Sequence, residues 1–396
     1  MRKVYADYAA TSPCDPEVVR RMEPFFAAVF ANAHSAHAQG QEARTAVEDA
    51  REYVADMLGA VPGEVVFTSG GTEADNTAVI GTYLANRGWG NHLVTTTIEH
   101  HAVLEAVRYC ASRFGAKVSE VACSPDGRVD PDRIVAAIAP DTVLVSVMHA
   151  NNETGVIQPI AEIGERVRAL NRTRSHRVYF HTDAVQTFGH LPIAVDALGV
   201  DLLSASAHKF CGPKGVGFLY VRTGTRMDAL LHGGGHEDGR RSSTLNTPGI
   251  VGLHAAARIA RENMASEADR VRALRDMLWD RVRASVPDVV VNGTMEHRLD
   301  GNLNVAFPGV EGESLLVALD AAGIAVSTGS ACSSGSQEAS HVLLAMGIDP
   351  VTARSSLRFT LGRFSGEEDV QRILEVLPPV VTRLRDMSPV YRKAGT

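Results

Sequence analysis

The sequence predicts an α/β protein with two domains, the larger one built around a mainly parallel sheet of seven strands. From about residue 64 to 221, seven apolar runs alternate with segments of helical periodicity, a pattern typical of a parallel sheet covered by helices. After Gly249 a long helical stretch runs to about Val286, and strands then follow with a different rhythm. The chain of 396 residues, 45% of them hydrophobic and 21% charged, is long enough for more than one packed core.

The seven apolar runs contain many β-branched and aromatic residues, which favour strands. Ahead of them, residues 16–30 place six apolar side chains on one helical face, and Pro16 suits a first helical turn. We therefore expect a helix there that packs on the sheet. The seven runs are Glu64 to Phe67, Leu93 to Thr96, Lys117 to Val121, Thr142 to Met148, Val178 to His181, Asp201 to Ser204 and Val216 to Val221.

The last third of the chain combines helices with short strand-like pieces in a different order from the central part. This change predicts a second, smaller α+β domain formed by residues 1–14 and 262–396, with residues 15–261 as the large domain. The strand-like pieces are Asp288 to Val291, Leu303 to Phe307 and Leu357 to Thr360.

Composition and charge exclude several classes of function. The 39 Lys and Arg residues against 46 Asp and Glu give a formal charge of −7. The sequence contains no block of like charges, which argues against a nucleic-acid or membrane surface as the partner. No apolar run is long enough to span a membrane, and the first residues lack the apolar segment of a signal peptide, so we expect a cytoplasmic protein. The five cysteines are scattered without C-x-x-C spacing, which indicates neither a disulfide framework nor a zinc ribbon.

Lysine is rare in this chain, which has five lysines among its 39 basic residues. Lys209 comes shortly after the apolar run that ends at Ser204. Open α/β sheets place their ligands at this end of the strands. An amine there forms a Schiff base when burial or nearby cations depress its pKa. A solvated loop lysine is the alternative.

Asp183 makes the Schiff-base interpretation of Lys209 more specific. It lies at the end of the run Val178 to His181, 26 residues before Lys209. Chemistry with pyridoxal 5'-phosphate (PLP) needs a carboxylate that keeps the pyridine nitrogen protonated, so that the ring accepts electrons. Because the carboxyl ends of parallel strands meet at one sheet edge, we expect the carboxylate and the amine to face opposite edges of one ring.

Other polar segments follow the predicted strands. The glycines in Ser69 to Asp75 open a helix, where backbone N–H groups cradle a phosphate, although an ordinary capped turn has the same pattern. His100 is suited to stacking on a planar ring or to moving protons. The Asn151 to Gly155 segment forms either a turn or a ligand contact. Several histidines are available as metal ligands, but no H-E-x-x-H helix is present, so we predict no metal site.

Two residues near the C-terminus carry reactive or binding groups. Cys332 lies in a loop of small residues, 327–336, where an exposed thiol is suited to nucleophilic attack. Arg358 alternates with apolar neighbours, which aims its guanidinium either at a ligand carboxylate or at a structural ion pair.

Together these motifs resemble the cysteine desulfurase family, the NifS/IscS-like group of class V PLP-dependent enzymes. The resemblance spans nearly the whole chain and implies the fold-type I PLP-dependent transferase architecture, with the Cys332 loop in the smaller domain. The matching motifs are Asp7 to Thr11, His34 to Gly40, Ser69 to Asn76, Glu99-His100, His149 to Gly155, Asp183 to Gln186, Ser206 to Gly215, Gly233 to Thr244 and Ser330 to Ser333.

The resemblance also implies a role for each matching residue. Lys209 would form the internal aldimine and later move a proton. His100 would stack on the ring, and Asp183 would bind the ring nitrogen. Gln186 would bind the ring O3′, and Asn152 with Arg358 would hold the substrate carboxylate. The phosphate would be held by Gly71, Thr72, Ser206, His208 and, from the other subunit of a homodimer, Thr244.

The activity implied by the resemblance is the conversion of L-cysteine to L-alanine. The Cys332 thiolate would attack the substrate sulfur and keep it as a persulfide for an acceptor protein, such as an iron–sulfur scaffold, a tRNA or DNA thiolation protein, or a biosynthetic partner. Two alternatives stay open: a selenocysteine lyase or other class V lyase or transaminase, and a non-catalytic sulfur-relay scaffold.

Overall fold

The computed structural model describes residues 2–329, 339–388 and 391. In these residues, strands form a large sheet and two small ones. The strands are β1 (Val4–Tyr5), β2 (Val65–Thr68), β3 (His92–Thr96), β4 (Lys117–Val121), β5 (Thr142–Ser146), β6 (Tyr179–Asp183), β7 (Leu202–Ser206), β8 (Gly217–Val221), β9 (Val290–Val291), β10 (Asn302–Ala306), β11 (Ile324–Ala325) and β12 (Ser356–Thr360).

The large sheet has seven strands in the order β2-β8-β7-β6-β5-β3-β4, and β8 alone runs against its neighbours. Its strands coincide with the seven predicted apolar runs, so the mainly parallel seven-stranded sheet is confirmed. The runs are continuously apolar because helices cover both faces of the sheet. Along β2, Val65 and Phe67 pack in one core cluster, whereas Val66 packs in the cluster on the opposite face.

Helices surround the sheets, and Thr77–Gly81 forms a π-helical segment that joins two of them. None of the described helices is both long and apolar enough to cross a membrane. The helices are α1 (Pro16–Met22), α2 (Pro24–Ala27), α3 (Ala38–Leu58), α4 (Gly71–Asn76), α5 (Thr82–Asn86), α6 (His101–Phe114), α7 (Pro131–Ala136), α8 (Ile160–Asn171), α9 (Val195–Leu198), α10 (Thr247–Ser285), α11 (Gly312–Ala321), α12 (His341–Ala345), α13 (Pro350–Arg354) and α14 (Glu367–Met387).

The predicted helix over residues 16–30 is wrong in its length, although Val18 belongs to the core of the large sheet and Met22 packs against it. The structure has two short helices there, α1 and α2, and Pro24 begins the second. Proline has no N–H to continue the hydrogen-bond ladder, and its ring crowds the preceding turn, so the helix is interrupted. Val18 is buried, but Val19 is 52% exposed and Phe26 is 66% exposed. The apolar face is therefore only partly covered in this chain.

A separate core cluster lies around β10 and β12, away from the large sheet. The long helix α10 contributes to both regions, with Leu253 in the core of the large sheet and Leu274 in the separate cluster. β1 pairs with β11, which brings the N-terminal residues beside the C-terminal part of the chain. The division into domains at residues 14/15 and 261/262 stays a prediction, and α10 runs unbroken through the second of these boundaries.

Candidate active site

One cavity of about 280 Å³ at the carboxyl ends of the parallel strands collects most of the predicted site residues. Cys332 lies outside the described residues, and Thr244 is exposed and does not line this cavity. Gly329, the last described residue before the Cys332 segment, lies on the cavity wall. The predicted residues that the cavity brings together are Gly71, Thr72, His100, Asn152, Asp183, Gln186, Ser206, His208, Lys209 and Arg358.

Lys209 ends a single 3₁₀ turn, Ala207–Lys209, that directly follows β7. Its Nζ atom donates to the carbonyl oxygens of Ala9, at 2.6 Å, and Ala10, at 2.8 Å. The side chain is thereby held at the cavity wall by the N-terminal segment of the chain.

The N-terminal segment is fastened to the same turn by a second set of contacts. The Ser12 hydroxyl donates to the His208 carbonyl at 2.7 Å and accepts from the Cys211 N–H at 2.8 Å. Thr11 Oγ1 lies 3.0 Å from His208 Nδ1. The residues of this segment show no periodicity, and in the sequence only their place in the family motif marks them as part of the site.

Asp183 is the last residue of β6 and is 5% exposed. Its Oδ1 accepts a hydrogen bond of 2.9 Å from the Val185 N–H. Burial raises the pKa of Asp183 to about 6, although that N–H and the charge of Lys209 both act to lower it. Asp183 and Lys209 share the cavity, as the sequence predicts, and at neutral pH the structure favours an ionised carboxylate there.

His100 caps the N-terminus of α6, where its Nδ1 accepts from the Ala102 N–H at 3.1 Å. Burial, with a further contribution from Lys209, lowers the pKa of His100 to about 4. The imidazole is therefore neutral at physiological pH, and since Nδ1 accepts, its proton is on Nε2. A neutral ring on the cavity wall is suited to stacking and to accepting or donating a proton in turn.

A second pocket adjoins the cavity where the helical stretch 71–86 begins. A Cβ atom added at Gly71 would lie 2.6 Å from Val185 Cγ2, so this position has no room for a side chain. Burial lowers the pKa of His208 to about 4, so its ring is neutral and offers an N–H donor. Thr72, Ser206 and His208 line both the pocket and the cavity. Backbone N–H groups at the helix start complete a pocket suited to a phosphate.

Arg358, on β12, also lines the cavity and is 2% exposed. It donates to the Asn152 carbonyl at 2.8 Å and to the Asp7 carboxylate at 2.7 Å. The Arg358 Nε atom is buried without a hydrogen-bond partner in the described chain. Asn151 shapes the adjoining turn, since its Oδ1 accepts from the Glu153 N–H at 2.9 Å.

These residues fit PLP on three observations from the structure. An amine and a buried carboxylate share one cavity. The helix start at its wall carries a glycine where a Cβ atom would clash with Val185. The neutral His208 ring and the hydroxyl groups of Thr72 and Ser206 line the adjoining pocket. Among the described residues, no group of three His, Cys, Asp or Glu side chains is arranged to hold a metal ion. The arrangement therefore suits a planar aldehyde cofactor with a phosphate.

Comparisons with known proteins agree with this site. Residues 4–373 match the family model described as Aminotransferase class-V. The chain is 47% identical over 388 residues to the cysteine desulfurase IscS of Dictyoglomus turgidum, covering 98% of this chain and 97% of that protein.

Two solved structures are also similar to this chain in fold. A NifS-like protein superposes with a TM-score of 0.90 at 37% identity, over 97% of this chain and 100% of the other. A structure described as SspA in complex with cysteine superposes with a TM-score of 0.81 at 35% identity, over 92% of this chain and 100% of the other. The predicted fold-type I architecture is confirmed by these similarities.

Proposed function

The chain belongs to the aminotransferase class-V family, and from this membership we propose that it is a PLP-dependent cysteine desulfurase that converts L-cysteine to L-alanine. The resemblance carried by the sequence motifs is confirmed at the level of the family. The observation that carries the proposal is the shared cavity of Lys209 and Asp183, in a chain whose full-length relatives include proteins named cysteine desulfurase.

PLP, when bound, supplies an electron sink that stabilises negative charge on a substrate carbon. In our proposal the Lys209 amine holds the cofactor and moves a proton on the substrate, and Asp183 holds the proton of the pyridine nitrogen. His100 would lie against the ring, and Gln186 would bind its O3′. Gly71, Thr72, Ser206 and His208 would hold the phosphate, which is supported by the pocket at the start of α4.

The substrate carboxylate is held by Arg358 and Asn152 in this proposal, because both line the cavity and neither lines the adjoining phosphate pocket. Cys332, outside the described residues, then attacks the sulfur of bound cysteine. A sulfur–sulfur bond forms as the carbon–sulfur bond breaks, the electron pair stays with the carbon fragment, and protonation releases alanine. A thiolate of an acceptor protein then attacks the outer sulfur of the Cys332 persulfide, so that a new sulfur–sulfur bond forms on the acceptor and the Cys332 thiolate leaves.

The protein works as a homodimer in the cytoplasm in this proposal, with Thr244 of each subunit reaching the phosphate of the other. Exposure of Thr244 in the single chain supports this role. The acceptor is a protein that takes persulfide sulfur, of the iron–sulfur scaffold, thiolation or biosynthetic type.

The test compares the purified wild-type chain with Lys209→Ala, Cys332→Ser and the matched control Lys117→Ala, whose amine is 70% exposed on β4. We expect bound-cofactor absorbance and alanine release in the wild type and the control. Lys209→Ala loses alanine release and the absorbance of the covalently held cofactor, and Cys332→Ser keeps the cofactor but releases no alanine. A wild-type chain that holds no PLP contradicts the proposal, and alanine release by Cys332→Ser removes the persulfide step.

A further inference from the structure

Asp75 lies on the wall of the cofactor cavity, but it has no role in the function proposed above. It belongs to α4, is 1% exposed, and lines the same cavity as Asp183. Its Oδ1 atom is buried without a hydrogen-bond partner in the described part of the chain. A buried carboxyl group in this position is either ionised and paired with a cation, or protonated.

The basic group that approaches Asp75 is His181 on β6, whose Nε2 lies 3.6 Å from Asp75 Oδ1. Both ring nitrogens of His181 already have hydroxyl partners, with Nδ1 at 2.8 Å from Ser146 Oγ and Nε2 at 3.0 Å from Ser204 Oγ. Burial lowers the pKa of His181 to about 3. The imidazole is neutral and gives Asp75 no positive charge.

The other titratable groups that act on Asp75 are carboxyl groups. The carboxylate of Asp183 on β6 disfavours a charge on Asp75, Glu99 after β3 does so where it is ionised, and a hydrogen bond from Ser204 offsets this only in part. Burial and these charges raise the pKa of Asp75 well above its usual range. Lys209, on the same cavity wall, acts on Asp183 and lowers the pKa of that group. The surroundings therefore favour the ionisation of Asp183 over that of Asp75.

We propose that Asp75 is a positioning residue that keeps its proton inside the cavity, so that Asp183, and not Asp75, presents a negative charge to the cofactor nitrogen. The proposal rests on the proposed function, because it concerns the cavity in which PLP binds. One carboxylate then faces one protonated ring nitrogen, and the second carboxyl group adds no charge to this pair. A second ionised carboxylate there would be a buried like charge, which is costly in a medium of low polarity.

Infrared spectroscopy of the full-length protein, with and without PLP, tests this assignment. Aspartate labelled with carbon-13 separates aspartate bands from those of Glu99. We expect an aspartate band of a protonated carboxyl at about pH 7 in the wild type and in Asp132→Asn, whose carboxylate is 81% exposed. The band disappears in Asp75→Asn. A wild-type spectrum without it, or a band that survives in Asp75→Asn, overturns the proposal.

A second variant keeps the test decisive where Asp75→Asn does not fold. In Asp183→Asn the negative charge that holds the Asp75 proton is gone, so Asp75 loses its proton at a lower pH than in the wild type. A merely structural role of Asp75 would leave this pH midpoint unmoved, and an unmoved midpoint overturns the proposal. The proposed function is tested separately, since its failure is a wild-type chain that holds no PLP.

Discussion

The guanidinium of Arg358 donates to the carboxylate of Asp7 over 2.7 Å, although the two residues are 351 positions apart in the chain. Arg358 is almost completely buried, and a buried cation needs a counter-charge. Asp7 is placed there because it bridges to Thr360, which is two residues beyond Arg358 at the end of β12. The N-terminal segment therefore orients the guanidinium at the wall of the cavity.

Replacing Arg358 with lysine should weaken the binding of cysteine. Lysine keeps the charge but loses the planar pair of donors that matches a carboxylate, which is worth roughly 1.5–3 kcal/mol. We expect KM for cysteine to rise by about tenfold or more, with a smaller change in kcat. Steady-state kinetics of alanine release measures both values. Arg354→Lys, at an exposed position on α13, is the control, and an unchanged KM in Arg358→Lys would exclude this residue as the carboxylate ligand.

Replacing Gly71 with alanine should weaken the binding of PLP. The new Cβ atom would lie 2.6 Å from Val185 Cγ2, so either the helix start or Val185 has to move, at a cost of about 1–3 kcal/mol. We expect the Kd for PLP to rise by about fivefold or more, as measured by titration of the cofactor-free chain. Gly63→Ala is the matched control, because a Cβ atom there meets nothing within 4 Å. Equal affinities of the two variants would contradict the placement of the phosphate.

The sequence predicts those features of the structure that depend on residues close together in the chain. The run Val178 to His181 is apolar because both faces of β6 are buried, and this pattern also locates Asp183 at the strand end. Contacts between segments that are far apart in the sequence leave no such pattern of side chains. The bonds from Lys209 to the Ala9 and Ala10 carbonyls depend on backbone atoms, which no side-chain pattern records.

Asp75 is a residue of the site whose burial the sequence does not predict. In the sequence it resembles an ordinary first-turn acidic residue, and its spacing from Thr72 suggests a helix cap. Only the fold shows that its side chain is buried beside Asp183 instead of facing water. The break between α1 and α2 was in principle predictable, since Pro24 is a local signal that opposes the apolar periodicity around it.

Replacing Glu99 with glutamine should change how stability depends on pH. Glu99 is buried, and burial raises its pKa to about 8, well above the value of about 4.3 in an unfolded chain. The folded state therefore holds one more proton than the unfolded state between these values, and the contribution of Glu99 to stability falls as pH rises through this window. Glutamine preserves the acceptor for Thr96 and Met148 without this cost.

Thermal and denaturant unfolding at about pH 5 and about pH 8 measures the effect of Glu99→Gln. We expect the free energy of unfolding of Glu99→Gln, relative to that of the wild type, to be higher at about pH 8 than at about pH 5 by at least about 1 kcal/mol. Glu105→Gln, whose carboxylate is 63% exposed on α6, should show no such trend. A constant difference between Glu99→Gln and the wild type would mean that Glu99 does not hold this proton.

The affinity of the cofactor-free chain for PLP should fall as the pH is lowered below about 6. Burial raises the pKa of Asp183 to about 6, and below that value its carboxyl is neutral and no longer pairs with a protonated ring nitrogen. The phosphate of PLP also takes up a proton near pH 6, so the pH dependence of Asp183→Asn supplies the combined contribution of the phosphate and of every other titrating group except Asp183. We expect the wild type and Asp132→Asn to lose affinity more steeply than Asp183→Asn, by up to about tenfold per pH unit. Fluorescence titration with PLP across this range measures the slopes, and identical slopes for the wild type and Asp183→Asn would show that another group carries the charge opposite the ring nitrogen.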